Sequence, residues 1–187
     1  MGRFYWMLLF IASAIATHAA YVLYYPGYNF DSKVEAALGP DSRNTMMLLS
    51  PAQVAKLFPA YAVSDIVAMC RYDLSQGPMQ ITAKLPRGYW TFSIFTVKGR
   101  QVYSLTDAQA GENSFAVDLL QAPDLIAQLK GALDEGGEAE AIDNVGWKVE
   151  TPEARGIAVI WVPVADPIFR SSTLAAVRNS SCTRQKS

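Results

Sequence analysis

Arg71 and Asp73 sit two residues apart in an apolar run, so on a strand they leave the same face, with Tyr72 opposite. A guanidinium beside a carboxylate can line an anion or carbonyl site, but a cross-strand ion pair before an Asp-initiated turn explains the pair without any ligand and is the preferred reading. Cys70 and Cys182 are the only cysteines. An even count in an oxidising compartment reads as a disulfide, here tying an early strand to the tail of the chain. A nucleophilic Cys70 has only Arg71 nearby to lower its pKa and no histidine to activate it. The single histidine, His18, lies in an apolar segment near the N-terminus. The rest of the chain therefore lacks the histidine that Ser-His-Asp and Cys-His catalysis, HExxH zinc sites and facial triads need. Asp134, Glu135, Glu138, Glu140 and Asp143 crowd around Gly136-Gly137, without the alternate-position ligands and terminal bidentate Glu of an EF-hand. They read as a solvated loop, with weak calcium binding as the alternative. No metal site and no cofactor are expected, because P-loop, GxGxxG and GxSxG patterns are absent.

Aromatic residues offer a different chemistry. Tyr89, Trp90, Phe92 and Phe95 share one segment, and Trp147 and Trp161 fall on later ones. Rings opening onto a cleft would make an apolar ligand surface, whereas rings facing inward would fill a sandwich core, which is the preferred reading. Charge adds little. The 16 basic and 17 acidic side chains leave a net charge of −1, which gives no field for nucleic acid or a polyanionic surface.

The elements that must position these residues begin with a membrane segment. Residues 4–25 carry no formal charge, and as a helix they would extend about 33 Å, enough to cross a hydrocarbon core. Arg3 and Ala14-Ile15-Ala16 also fit a cleaved secretory signal. The uncleaved anchor is preferred, because the apolar run continues past Ala16 and ends in Tyr21, Tyr24 and Tyr25 at headgroup level. Within it His18 is either an intramembrane functional group or a neutral imidazole bonded near the interface. Arg3 before the span and mixed charge after it place the N-terminus in the cytoplasm and the remainder outside, the periplasm of a bacterium.

Pro26-Gly27 is expected to stop that helix, leaving residues 26–43 as a linker with a short amphipathic stretch at 32–38. Residues 44–187 then form one extracytoplasmic domain, as 187 residues allow one good core. Within it, residues 44–49 read as a strand, and Ser50-Pro51-Ala52-Gln53 as a helix N-terminus. Residues 66–73 and 79–85 read as strands of a hairpin, and residues 89–97 and 101–105 as a second hairpin with Trp90, Phe92 and Ile94 on one face. Strands at 114–119, 147–150 and 156–162, a helix at 124–133 and a closing helix from Asp166-Pro167 to 178 complete the reading. The fold class is mainly β (α+β), an antiparallel sandwich or partial barrel with short helices at its edges.

The run Cys70-Arg71-Tyr72-Asp73-Leu74-Ser75, then Gly77-Pro78, Tyr89-Trp90-Thr91-Phe92-Ser93, Val102-Tyr103-Ser104-Leu105, Asp107, residues 152–156 and Val164-Ala165-Asp166-Pro167 together resemble the domain-of-unknown-function family numbered 1254. Residues 122–144 look like an insertion relative to that pattern. The resemblance implies a membrane-associated protein, mostly proteobacterial. It also implies a separate partner of the companion family numbered 1214, which in larger relatives is fused to this one. It implies no activity and no catalytic residue. The expected function is a membrane-anchored binding or partner-subunit module of the cell envelope. One rival is an enzyme half-site or hydrolase completed by a partner, using Arg71, Asp73 and surface carboxylates. The other is an envelope protein that binds a small apolar ligand through the aromatic strand.

Overall fold

The computed structural model of the chain describes residues 2–39, 42–122 and 147–185. Helix α1 runs Gly2–Leu38. Its first part, Gly2–Tyr25, is long and apolar enough to cross a membrane and has no residue buried against the protein. The helix does not stop at Pro26-Gly27 as the sequence suggests, so the expected linker is helical over most of its length. An interior proline costs about 3 kcal/mol through one lost hydrogen bond and a clash. Phe30, Val34 and Leu38 recur every four residues on one face, and Val34 and Leu38 are buried while Phe30 packs beside them. That tertiary burial favours continuing the helix. Gly39, at φ +81°, ends it in the left-handed conformation, its N–H donating to the Glu35 carbonyl at 2.8 Å.

Among the described residues, nine strands form two packed sheets. The first holds β1 (Met46–Leu48), β2 (Ile66–Asp73), β4 (Thr91–Thr96), β5 (Gln101–Thr106) and β8 (Arg155–Val162), in the order β1-β2-β8-β4-β5. The second holds β3 (Met79–Lys84), β6 (Ser114–Gln121), β7 (Trp147–Thr151) and β9 (Ser181–Arg184), in the order β7-β6-β3-β9. Pairing is antiparallel except between β6 and β7. The expected mainly β sandwich with edge helices is therefore the observed architecture. Between the sheets, Ile66, Ala68, Cys70 and Tyr72 of β2, Phe92 and Ile94 of β4 and Ala158 and Ile160 of β8 meet Met79 and Ile81 of β3 and Phe115, Val117 and Leu119 of β6.

The opposite face of the first sheet is covered too. Val67, Met69, Ile157 and Val159 lie beneath Val34 and Leu38 of α1 and Val54 of α2 (Pro51–Leu57). Strand β2 is thus buried on both faces from Ile66 to Tyr72, which a sheet between two layers requires. Helix α2 starts with the expected capping box, Gln53 N–H donating to Ser50 Oγ and Ser50 N–H to Gln53 Oε1.

The hairpin expected from residues 66–73 and 79–85 does not form. Both flanks of β2 are taken, by β1 and β8, and β3 pairs with β6 and β9 in the other sheet. The Leu74 to Pro78 connection crosses between sheets, with Leu74 buried at the crossing. The second expected hairpin, β4–β5, is present with Phe92 opposite Leu105, turning at Gly99 with φ +77°. A one-turn helix α3 (Asp107–Ala110) follows it. The closing helix begins as a 3₁₀ turn (Pro167–Phe169), capped by Asp166, and continues as α4 (Arg170–Arg178). The sequence reading lacks β9. This edge strand sets Cys182 opposite Ile81, where it is bonded to Cys70 and ties the two sheets together. The helix expected at 124–133 and the acidic cluster at 134–143 lie outside the described residues.

Candidate functional site

Odd positions of β2 face the helical layer, so Arg71 and Asp73 leave the strand together beneath the end of α1, as their spacing implies. Arg71 is only 7% exposed; its Nη2 lies 3.5 Å from Glu35 Oε2 and its Nη1 donates to the Gly39 carbonyl at 3.4 Å. Asp73 stands opposite Arg155 in the β2–β8 register, and Arg155 Nε donates to its Oδ2 at 3.1 Å. The other oxygen accepts the Ser75 N–H at 3.0 Å, and the Asp73 N–H donates to Asn44 Oδ1 at 2.8 Å. Arg43 bridges to Arg71 through the backbone and is exposed. With Tyr72, Val97 and Gly156 these residues line a polar cleft of about 140 Å³.

The cleft carries three guanidiniums against two carboxylates. Hydrogen bonds from Ser75 hold the Asp73 carboxyl below its usual pKa; the Arg155 charge adds to this and partial burial opposes it. Asp73 therefore stays ionised at neutral pH and is a weak base. Burial pushes the Tyr72 hydroxyl up to about 12, helped by the nearby Glu153 carboxylate and opposed by a hydrogen bond with Thr151. Protonated, it donates to the Phe95 carbonyl at 3.2 Å. The ring reaches that carbonyl by crossing Gly156, where a Cβ would sit 2.2 Å from Phe95 O and 2.2 Å from Tyr72 Oη. Neither shifted group is poised for proton transfer near pH 7. The arrangement suits holding an anion or fastening α1 to the sheet, and the two ion pairs already engage both residues singled out from the sequence.

The other sequence candidates are dispersed. Trp90 is 1% exposed and packs on Phe115 with ring centroids 5.3 Å apart, so it belongs to the core. Its neighbour Tyr89 is 55% exposed and meets Trp161 edge-on. His18 is on the exposed apolar stretch of α1, away from the cleft. Cys70 and Cys182 are a buried disulfide and supply no thiol. Among the described residues no group of three or more His, Cys, Asp or Glu side chains could hold a metal ion.

Sequence reasoning missed Glu35, Arg43 and Arg155. Arg155 lies in the 152–156 stretch, but its partnership with Asp73 depends on a register across 82 residues. It also missed a larger, apolar cleft of about 410 Å³ at the Tyr89 end of the sheet, between residues 86–89 and 162–173.

No family model matches the chain, and no curated protein matches it. Among solved structures it is similar to the VPA0106 protein from Vibrio parahaemolyticus, at 10% identity over 88% of this chain and 37% of that one, with a TM-score of 0.57. An uncharacterised protein from Burkholderia cenocepacia aligns at 10% identity over 74% of this chain and 36% of that one, with a TM-score of 0.47. The Vibrio likeness is one of fold alone. The chain spans little more than a third of either solved protein.

Proposed function

We propose that the protein is a single-pass module of a bacterial inner membrane, N-terminus in the cytoplasm, whose periplasmic domain works by binding a partner subunit. On the resemblance to the family numbered 1254, the partner is a small envelope protein of the companion family numbered 1214. The observation that carries this reading is the 88% coverage of this chain against 37% of the longer Vibrio chain. There the same fold is covalently joined to further protein, and on the resemblance to the family numbered 1254 that further part is here a separate chain, which would recover the contact by association. One helix apolar enough to span and a disulfide suited to an oxidising compartment support the location. The ion-paired state of Arg71 and Asp73 favours binding over an enzyme half-site.

The test is purification of the full-length protein from its own membranes in mild detergent, with crosslinking in intact cells. A companion-family chain at equal stoichiometry in both preparations is the expected result. A protein that emerges alone and monodisperse, without a crosslinked partner, would overturn the proposal.

A further inference from the structure

We infer that the apolar cleft at the Tyr89 end of the first sheet is a binding site for a medium-chain carboxylate, an amphiphile with one anionic group and an unbranched apolar tail. This stands apart from the partner-subunit reading and differs from the aromatic-strand surface that the sequence offers as the rival to a core, since Trp90 and Phe92 are sealed in the core.

The cleft is built rather than incidental. On one side Gly88, at φ +130°, turns the chain so that Tyr89 faces outward while Trp90 is anchored in the core. Trp161 backs the Tyr89 ring at 5.8 Å between centroids and is itself fixed by donating from Nε1 to Asp65 Oδ2 at 2.8 Å. On the other side, β8 ends in Val162, Pro163 and Val164, and the Asp166 cap on the Ile168 N–H folds the turn that brings Phe169 over the opening. Arg170 fastens the start of α4 to the Ser64 carbonyl. Tyr89 and Phe169 are 55% and 64% exposed on the rim of a concavity. Two rings open on the rim of one concavity form a contiguous apolar patch of the kind that ligand grooves present.

Volume and charge narrow the occupant. About 410 Å³ is within the usual range of small-molecule sites and equals roughly 14 water-sized volumes, which suits a tail of about eight to ten carbons. Arg87 lines the cleft, is exposed, and has no ion pair among the described residues. Asp166 lines it too, with one oxygen held by the Ile168 N–H, so an anion is directed to the Arg87 side. The cleft also lies far from the tether. Phe30 of α1 packs 3.6 Å from the Gly99 position, at the opposite end of β4 from Tyr89.

The test uses the full chain in lipid nanodiscs and labelled decanoate below its micellar concentration, by equilibrium dialysis against empty nanodiscs. One saturable site per chain is expected, preferring decanoate to decanol by about tenfold. Arg87→Ala removes that preference without affecting decanol. Ala165→Trp fills the cleft and abolishes both, with far-ultraviolet circular dichroism and the thermal transition unchanged. If that variant misfolds, Phe169→Ser, at an exposed position, weakens both ligands several-fold. The inference is overturned by uptake no greater than that of empty nanodiscs, by saturable binding indifferent to the cleft variants, or by a carboxylate preference that survives Arg87→Ala.

Discussion

Replacing both cysteines by alanine tests how the two sheets are held together. The bond spans 112 residues of sequence, and the chain-entropy relation gives about 16 cal/mol/K for a loop of that length, or about 4.8 kcal/mol at 25 °C. Both sulfurs are buried, so alanine leaves a small void costing about 1 kcal/mol more. Against this, β9 has four residues and pairs only with β3, so in the variant it can fray locally while the rest of the sandwich persists. The net loss is expected to be about 3–5 kcal/mol, a large share of the 5–15 kcal/mol of an ordinary domain. Urea unfolding of the full chain in mild detergent, followed by near-ultraviolet circular dichroism, measures it. Release of the cross-link lets the unfolded chain expand and raises the denaturant slope, and fraying of β9 offsets part of that rise. A loss below about 1 kcal/mol with an unchanged slope would refute the reasoning, because the loop would then impose no constraint on the unfolded chain.

Gly156→Ala places a Cβ 2.2 Å from both the Phe95 carbonyl and the Tyr72 hydroxyl, so the thermal transition should fall steeply or vanish. Tyr72→Ala should not rescue it, because the carbonyl clash is with backbone, whereas Tyr72→Phe alone costs about 1 kcal/mol for its hydrogen bond. Asp73 binds a proton less readily folded than unfolded, so its stabilisation is complete above the ordinary carboxylate pKa and lost as pH falls through its lower folded value. In Asp73→Asn that acid limb should flatten. Tyr72 has the reverse sign: its folded pKa of about 12 exceeds the ordinary 10.0, so stability falls between pH 10 and 12, and Tyr72→Phe should flatten the alkaline limb. Arg71→Met removes the contacts to Glu35 and Gly39 and should raise amide hydrogen exchange over residues 32–39 without unfolding the sandwich; unchanged exchange there would mean that the pair does not fasten α1.

Local signals in the sequence translated directly into structure. Ser50-Pro51-Ala52-Gln53 is a helix start because both of its capping hydrogen bonds close within four residues, whereas the bond from Gln53 Nε2 to the Ala37 carbonyl, which ties α2 to α1, has no local signal. The β4–β5 hairpin is legible because a Gly turn separates two runs whose inward residues alternate. The two cysteines could pair only with each other. What was not legible depends on distant partners. Residues 66–73 and 79–85 look like hairpin strands, and only competition from β1 and β8 for the flanks of β2 sends them to different sheets. Strand β9, Ser-Cys-Thr-Arg, has no apolar alternation and is a strand because β3 offers it an edge. In the candidate site, Arg71 and Asp73 were visible as a same-face pair, whereas Glu35 and Arg155 come from elements 36 residues before Arg71 and 82 residues after Asp73.

The helical course of residues 26–38 changes where the domain begins. A boundary at residue 44, as the sequence suggests, would strip Val34 and Leu38 from a face formed by Val67, Met69, Ile157 and Val159. Full burial of two such aliphatic side chains contributes about 3–6 kcal/mol, and the cut would also remove the Glu35 partner of the largely buried Arg71. A fragment starting at residue 44 should therefore aggregate or bind hydrophobic dyes, and one starting at residue 29, which keeps Phe30 to Leu38, should be monodisperse with a cooperative melt. Equal behaviour of the two fragments would show that the third layer is dispensable. If they differ as expected, the final turns of α1 belong to the same cooperative unit as the sandwich. The direction of the apolar N-terminal part of α1 is then coupled to the sheet through Arg71 and Phe30, and the domain is rigidly mounted on that helix rather than tethered to it by a flexible linker.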